Sequence, residues 1–323
     1  MGKLACVFPG QGSQSVGMGL DLFNNYPVAK EVFADVDRIA AQNFSKLCFE
    51  GPEADLKKTI NTQPTILAAS LAAWACYKAL GGPKPDFVAG HSLGEITALV
   101  AAESMQIEEA VVLVQERAVL MEECPAGAMS AVLGVASEAL EECCRKASEE
   151  LKNDGADELE AVVIVANFNT RDQLVISGNP KAVVRAGELA KAAGGKVIPL
   201  PVGGAFHSPL MTKAAGQFVV TLDQMAIEDP VCPVVQNFDG KPSTTGSEIR
   251  GKLTKQMDNA VRWCASVEYM IAQGVDTFVE IGPGKVLVGT VKKIDKGMKL
   301  FNVSDAATLQ ATIEGLKETV LSR

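Results

Sequence analysis

Apolar positions in this chain follow two rhythms. Short, nearly continuous runs at residues 4–8, 87–89 and 275–281 have the character of buried strands. Each leads into a turn containing glycine. Longer stretches at 28–41, 63–80, 95–102, 107–121 and 285–294 carry apolar residues at helical spacing; Gln63-Pro64 suits a helix start and Gly81-Gly82-Pro83 a stop. Strands alternating with helices predict an α/β chain built on a parallel sheet. After Pro125-Ala126-Gly127 the order changes to strand 128–134, helix 137–152, strands 161–166 and 173–177, helix 180–193 and strand 196–200. That βαββαβ order predicts a small ferredoxin-like unit of about 70 residues set into the larger one, which resumes near Gly203.

The sharpest turn lies between 87–89 and 95–102, where the chain reads Gly90-His91-Ser92-Leu93-Gly94. A G-x-S-x-G between strand and helix is a nucleophile elbow: glycines flank the serine because the turn leaves no room for side chains, and the backbone there is strained. Ser92 would stand at the positive end of the next helix, with the Leu93 backbone N–H facing any oxyanion formed on a substrate carbonyl. The pentapeptide alone also describes an ordinary glycine turn. Its flanking strand and helix are what point to acyl transfer through a serine ester.

A nucleophilic hydroxyl needs a base within hydrogen-bond reach, and only His91 and His207 are available. His91 adjoins Ser92, so in a tight elbow its ring should point elsewhere, leaving His207 in the loop Gly204-Ala205-Phe206-His207-Ser208-Pro209. No carboxylate stands out as a third member; Asp229, Asp239, Asp258 and Glu280 all stay open. The loop Pro9-Gly10-Gln11-Gly12-Ser13-Gln14 lacks the spacing of a nucleotide-binding turn, but at the end of a first strand it can bring Gln11 against a ligand. Arg117, on the apolar 107–121 helix, reads as a surface residue paired with Glu116 or Glu122; the alternative is a buried cation awaiting an anion.

Composition narrows the classes. A formal net charge of −9 over 323 residues argues against nucleic-acid binding. The eight cysteines form no CxxC pair and stand beside only two histidines, which gives no zinc site and suggests free thiols in a reducing compartment. The opening nine residues are too soon broken by Pro9 for a signal peptide, and the apolar window at 66–76 falls short of the ~20 residues of a membrane span. A cytoplasmic location is expected, with a plastid stroma open if a transit peptide was removed. Between 285 and 299 five lysines (285, 292, 293, 296, 299) meet one aspartate, a local balance of +5 − 1 = +4 that is either a solvated face or a dock for an acidic partner.

Six blocks in order now stand together: FPGQGSQ at 8–14, NTQP at 61–64, GHSLGE at 90–95, QER at 115–117, GAFHSPLM at 204–211 and EIGPGKVL at 280–287. They resemble the malonyl-CoA:acyl carrier protein transacylases over nearly the entire chain. The resemblance implies an α/β-hydrolase-like core, residues 1–127 and 202–323, carrying a ferredoxin-like subdomain at 128–201. It implies ping-pong transfer of malonyl from malonyl-CoA to the phosphopantetheine thiol of acyl carrier protein, for fatty-acid synthesis. Ser92 matches the nucleophile and His207 the base, oriented in this family by a backbone carbonyl that falls at Gln256. Backbone amides of Gln11 and Leu93 match the oxyanion hole. Arg117 matches the residue that holds the malonyl carboxylate, which reverses the surface pairing; a fork of donors binds a carboxylate bidentately where water is excluded. Gln63, His91, Asn167 and Phe206 are expected in the pocket, Phe206 being associated with malonyl rather than methylmalonyl use because its bulk crowds an α-methyl. Malonyl-CoA is a substrate, so no cofactor is implied. The carrier protein would dock near Lys285, Lys292, Lys293 and Lys296 on a monomer. The chain departs from the family at Ile96, where many members have tyrosine, and in an acidic loop at 156–161. Rival readings are a polyketide-pathway acyltransferase, a serine thioesterase or hydrolase of acyl-CoA or acyl carrier protein, and a silent scaffold for the carrier protein.

Overall fold

The structure, a computed structural model, describes residues 2–321. Ten strands occur among them: β1 (Lys3–Phe8), β2 (Phe87–Gly90), β3 (Ala128–Leu133), β4 (Val163–Phe168), β5 (Gln173–Gly178), β6 (Lys196–Pro199), β7 (Val234–Val235), β8 (Pro242–Ser243), β9 (Val275–Ile281) and β10 (Lys299–Val303). They make two sheets, so the chain is mixed α/β as expected. The larger runs β10-β9-β1-β2-β7-β8 and is parallel except for β7 with β8. The smaller runs β4-β5-β3-β6 and is antiparallel throughout. Three strands lay outside the sequence reading: β7 and β8, of two residues each and too short to show a period, and β10, which is only partly buried along most of its length.

The larger sheet is covered on both faces, which is why its strands read as unbroken apolar runs. Along β1 the side chains alternate: Cys6 and Phe8 join one core with Val88 and Val279, while Ala5 and Val7 join the other with Phe87, Ala89 and Phe278. The smaller sheet is also covered on both faces: Met129, Ala166 and Val175 join the main core on one side, and its own two helices cover the other. Val163, Val165 and Ile176 pack there against Leu140, Cys144 and Ala147 of helix Ser137–Asn153 and Ala182 and Ala186 of helix Pro180–Ala192. Its edge strand β6 is largely exposed and guarded by Lys196 and Pro199, which discourages pairing with another chain. The chain crosses between the two sheets at neighbouring points, where Ala126 bridges Gly204 and the Gly127 N–H donates to the Gly203 carbonyl.

One helix boundary differs from expectation. The helix expected to open at Gln63-Pro64 begins four residues earlier and runs Thr59–Ala79 with Pro64 inside it. Pro64 lies in the second turn, where it withholds a single amide hydrogen, from the Ile60 carbonyl, while Thr65 Oγ1 back-bonds to the Asn61 carbonyl at 2.8 Å and the Thr62 carbonyl at 3.0 Å. Gln63 is thereby held in a regular turn, fully buried. Among the described residues no helix is long and apolar enough to cross a membrane.

Because β1, β2 and β7 are parallel neighbours, their C-terminal ends lie at one edge of the sheet, delivering the loops that begin at Pro9, His91 and Gln236 side by side. The elbow is pressed hard against that edge. A Cβ at Gly94 would sit 2.0 Å from the Phe8 carbonyl oxygen, so the start of the helix docks on β1 only without a side chain. Gly94→Ala is expected to lower unfolding stability by about 3 kcal/mol or prevent folding. Gly289→Ala, in helix Val286–Ile294 with nothing near its added methyl, should be neutral or raise stability by up to about 1 kcal/mol. Chemical denaturation of both variants checks the contrast, and equal effects would contradict it.

Candidate active site

Ser92 occupies the left-handed region, with φ of 52°, between β2 and helix Gly94–Ala101. A residue with a Cβ adopts that conformation only under constraint. The turn throws the side chain above the sheet edge, where Ser92 Oγ lies 2.8 Å from His207 Nε2. On its other side, His207 Nδ1 is 2.9 Å from the Gln256 carbonyl oxygen. A carbonyl can only accept, so Nδ1 carries the hydrogen and Nε2 is left as an acceptor for the serine hydroxyl. His207 itself has φ of 59° and is 3% exposed.

The third group at the hydroxyl is Arg117. The isolated sequence reading placed it at the surface beside Glu116 or Glu122; the structure buries it to 1% exposure, with no carboxylate in contact. Its Nη2 donates to Ser92 Oγ and to Gln256 Oε1, both at 3.0 Å, and its Nη1 to Gln63 Oε1 at 2.5 Å. Its Nε has no partner. Helix 107–122 is apolar on most sides because it is sandwiched between other helices, so a cation on its inner face has nowhere to go but the site. Burial lowers its pKa to about 10, Glu95 opposing the fall, so the guanidinium stays charged near neutral pH.

Ser92, His207 and Arg117 line a cavity of about 180 Å³. Gln63, His91, Asn167 and Phe206 all border it, and so does Gln11, whose side chain donates to Thr59 Oγ1 at 3.4 Å. Among the described residues neither the Gln11 nor the Leu93 backbone N–H meets an acceptor. Both residues border the cavity, Leu93 buried and Gln11 half-buried, and donors without acceptors at its wall point to a ligand. The His91 ring turns away from Ser92, its Nε2 lying 2.8 Å from Asn169 Oδ1 and its centroid 5.8 Å from that of Trp263, the two planes inclined at 61°. None of the four carboxylates left open touches His207. Asp229 accepts from the Gly246 N–H, Asp239 pairs with Lys252, Asp258 meets Thr212 and Asn259, and Glu280 accepts from the Val288 N–H.

A hydroxyl set between an imidazole and a buried guanidinium, at the foot of a cavity with free backbone donors, suits transfer of an acyl group that bears a negative charge. Comparison with known proteins agrees. The acyl transferase domain family model matches residues 5–318. The malonyl CoA-acyl carrier protein transacylase of Bacillus subtilis (strain 168) is 44% identical over 98% of this chain and 98% of its own. The enzyme of that name from Escherichia coli (strain K12) is 40% identical over 97% of this chain and 100% of its own. The chain belongs to this transacylase family. Among solved structures, an acyl carrier protein S-malonyltransferase from Vibrio cholerae superposes with a TM-score of 0.90 at 42% identity, covering 96% of this chain and 99% of that one. A malonyl-transacylase in complex with a type II PKS acyl-carrier protein gives 0.91 at 39% identity, covering 97% and 99%.

In this transacylase, sequence reasoning missed two features. Asn169 sits two residues after Asn167, so strand alternation alone would have put both on one face. The Gln256 side chain was overlooked: besides its carbonyl on His207, its Nε2 donates to the Ser92 carbonyl at 2.9 Å. Burial and the nearby Arg117 charge push His207 down to about 3 from an ordinary 6.5. An unfolded chain therefore takes up this proton at a higher pH than the folded one. The stabilisation from keeping the ring neutral is complete above pH 6.5 and is lost as pH falls towards about 3. His207→Gln should accordingly show a smaller drop in Tm than the unsubstituted protein between about pH 7 and about pH 4. Identical drops in thermal melts of the two would contradict the assignment.

Proposed function

We propose that this protein moves the malonyl group from malonyl-CoA to the phosphopantetheine thiol of acyl carrier protein through a malonyl ester on Ser92. The observation that carries this reading is Arg117: a buried cation, with an unpartnered Nε, within 3.0 Å of the Ser92 hydroxyl. Burying a lone charge is costly, and an acyl group ending in a carboxylate compensates it at the distance from the hydroxyl that malonyl spans.

In the first half-reaction Ser92 Oγ attacks the thioester carbonyl as His207 Nε2 takes its proton. The oxyanion of the tetrahedral intermediate is received by the Gln11 and Leu93 backbone N–H groups. The carbon–sulfur bond then breaks, and the imidazolium returns its proton to the departing CoA sulfur. The second half runs the same steps with the carrier thiol as attacking group. The Gln256 carbonyl keeps Nδ1 protonated throughout, doing for the tautomer what a carboxylate does in a Ser-His-Asp triad. Arg117 acts twice. Its charge disfavours the imidazolium in the empty site, and a seated carboxylate offsets that charge, so the base improves when the correct acyl group is bound. Phe206, 6% exposed on the cavity wall, limits room for an α-methyl substituent.

The small sheet's order and antiparallel pairing support a ferredoxin-like subdomain at 128–201, and the bonded crossings at 126–127 and 203–204 support its insertion into an α/β-hydrolase-like core of 1–127 and 202–323. Eight free thiols favour a reducing, cytoplasmic setting. Fatty-acid synthesis is the first reading; the neighbour complexed with a PKS carrier keeps a polyketide carrier as the second. For docking, Lys285, Lys292, Lys293 and Lys296 are exposed. The helix Val286–Ile294, which carries Lys292 and Lys293 and lies between Lys285 and Lys296, shares with Gln11 and His91 a hollow of about 150 Å³ beside the cavity.

Labelled malonyl-CoA should leave an acid-stable ester on Ser92 and none on Ser92→Ala; an unlabelled wild type would overturn the reading. Arg117→Ala should cut malonyl transfer by roughly 10²-fold while acetyl transfer changes little, since only malonyl presents a free carboxylate. Equal losses on both substrates would remove Arg117 from its role. Reversing charge at Lys292 and Lys296 should raise KM for carrier protein by roughly tenfold, more at low salt, with ester formation from malonyl-CoA unchanged. Unaltered carrier KM would place docking elsewhere.

A further inference from the structure

Ser92 is strained, yet the sheet cannot hold it by its own ladder. Strand β7 pairs with β2 in parallel at Val88↔Val234 and Ala89↔Val235 and then leaves the sheet. Beyond that point the side chain of Asn237 takes over. Its Nδ2 donates to the Gly90 carbonyl at 2.6 Å, and its Oδ1 accepts from the Ser92 N–H at 2.7 Å. Those two groups flank His91, and bonding the carbonyl before a residue and the N–H after it is the pattern one strand imposes on a parallel neighbour. A primary amide has the donor and acceptor of a peptide group, so Asn237 continues the ladder by one rung into the turn.

Asn237 is itself braced. Its backbone N–H donates to Glu95 Oε2 at 2.7 Å, and its carbonyl accepts from the Arg262 N–H at 2.9 Å. Glu95, 1% exposed on the first turn of the elbow helix, also accepts at Oε1 from Gln236 Nε2 at 3.1 Å. Gln236 in turn accepts from Ser243 Oγ at 2.6 Å. The two ends of the elbow, Gly90 and Glu95, are thus clamped to the residues that follow β7. Glu95 closes the GHSLGE block, and no step of the transfer reaction calls on its buried carboxylate.

We propose that Asn237, braced by Glu95, is a positioning residue that holds Ser92 in its left-handed conformation, so that the hydroxyl stays between His207 Nε2 and Arg117 Nη2. The inference rests on the malonyl-ester reading above. Without the side-chain rung, Ser92 can relax toward negative φ, carrying Oγ off the line to the base. Arg117 loses its bond to Ser92 Oγ in that movement but keeps Gln63 and Gln256 as partners, so the carboxylate site and the cavity walls stay in place; ester formation suffers and malonyl-CoA affinity does not.

The test separates these two quantities. Asn237→Asp keeps the shape but removes the amide donor to Gly90. Single-turnover malonylation of Ser92 should slow by roughly 10²-fold, a loss of the size that misplacing a reacting group produces. Calorimetric affinity for malonyl-CoA, measured with and without Asn237→Asp in a Ser92→Ala background, should change by no more than about twofold. Glu95→Gln, which keeps one acceptor for the Asn237 N–H, should show the same split at roughly tenfold, and it decides the matter if Asn237→Asp does not fold. A folded variant that malonylates at the wild-type rate, or that loses affinity in proportion to rate, overturns the inference. If the unsubstituted protein forms no ester at all, the malonyl-ester reading fails instead, and the two failures are told apart by that one control.

Discussion

A positive charge kept out of water sets the terms for this site. Arg117 is as buried as the core leucines around it, and the fold meets it with neutral oxygens from Gln63, Gln256 and Ser92 rather than with a carboxylate in contact. A contacting carboxylate would settle the charge and leave nothing for a substrate. Amide and hydroxyl oxygens orient the fork while leaving much of its attraction unspent. Glu95, buried on the neighbouring helix, acts at longer range and partly opposes the lowering of the guanidinium pKa by burial.

The same charge reaches the base. A histidine buried beside a cation is a poor acceptor of protons, and His207 is held far below its ordinary range. A negative charge placed beside Arg117 would lift that restraint. One buried charge thus bears on both the serine hydroxyl and the imidazole beside it.

Parallel strands make this convergence available. Their C-terminal ends open on one edge, so the loops after β1, β2 and β7 deliver Gln11, Ser92 and Asn237 within reach of one another, while His207 and Gln256 come from the segment between β6 and β9. Tight packing at the elbow depends on glycine: Gly94 sits against the Phe8 carbonyl with no space for a methyl.

Short-range rules were enough to show the alternating strands and helices, the split order of residues 128–201, the strained elbow at Ser92 and, since only two histidines exist, His207 as the ring to look for beside it. Each rests on a local period, a turn requirement or a count of chemically able side chains, none of which needs the chain's path in space. Two local signals misled. Pro64 looked like a helix start because proline favours a first turn, yet the helix begins at Thr59 and takes the proline in one turn later. Arg117 looked like a surface residue because periodicity shows which face of a helix is polar but not what packs over it; only the family resemblance put it in the site. The remainder belongs to tertiary structure: Ser92 meets His207 across 115 positions, Asn237 across 145 and the Gln256 side chain across 164. Those contacts are decided by the order in which strands enter the sheet and by where β7 leaves it, and buried polar groups then take whichever partners that order brings within hydrogen-bond reach.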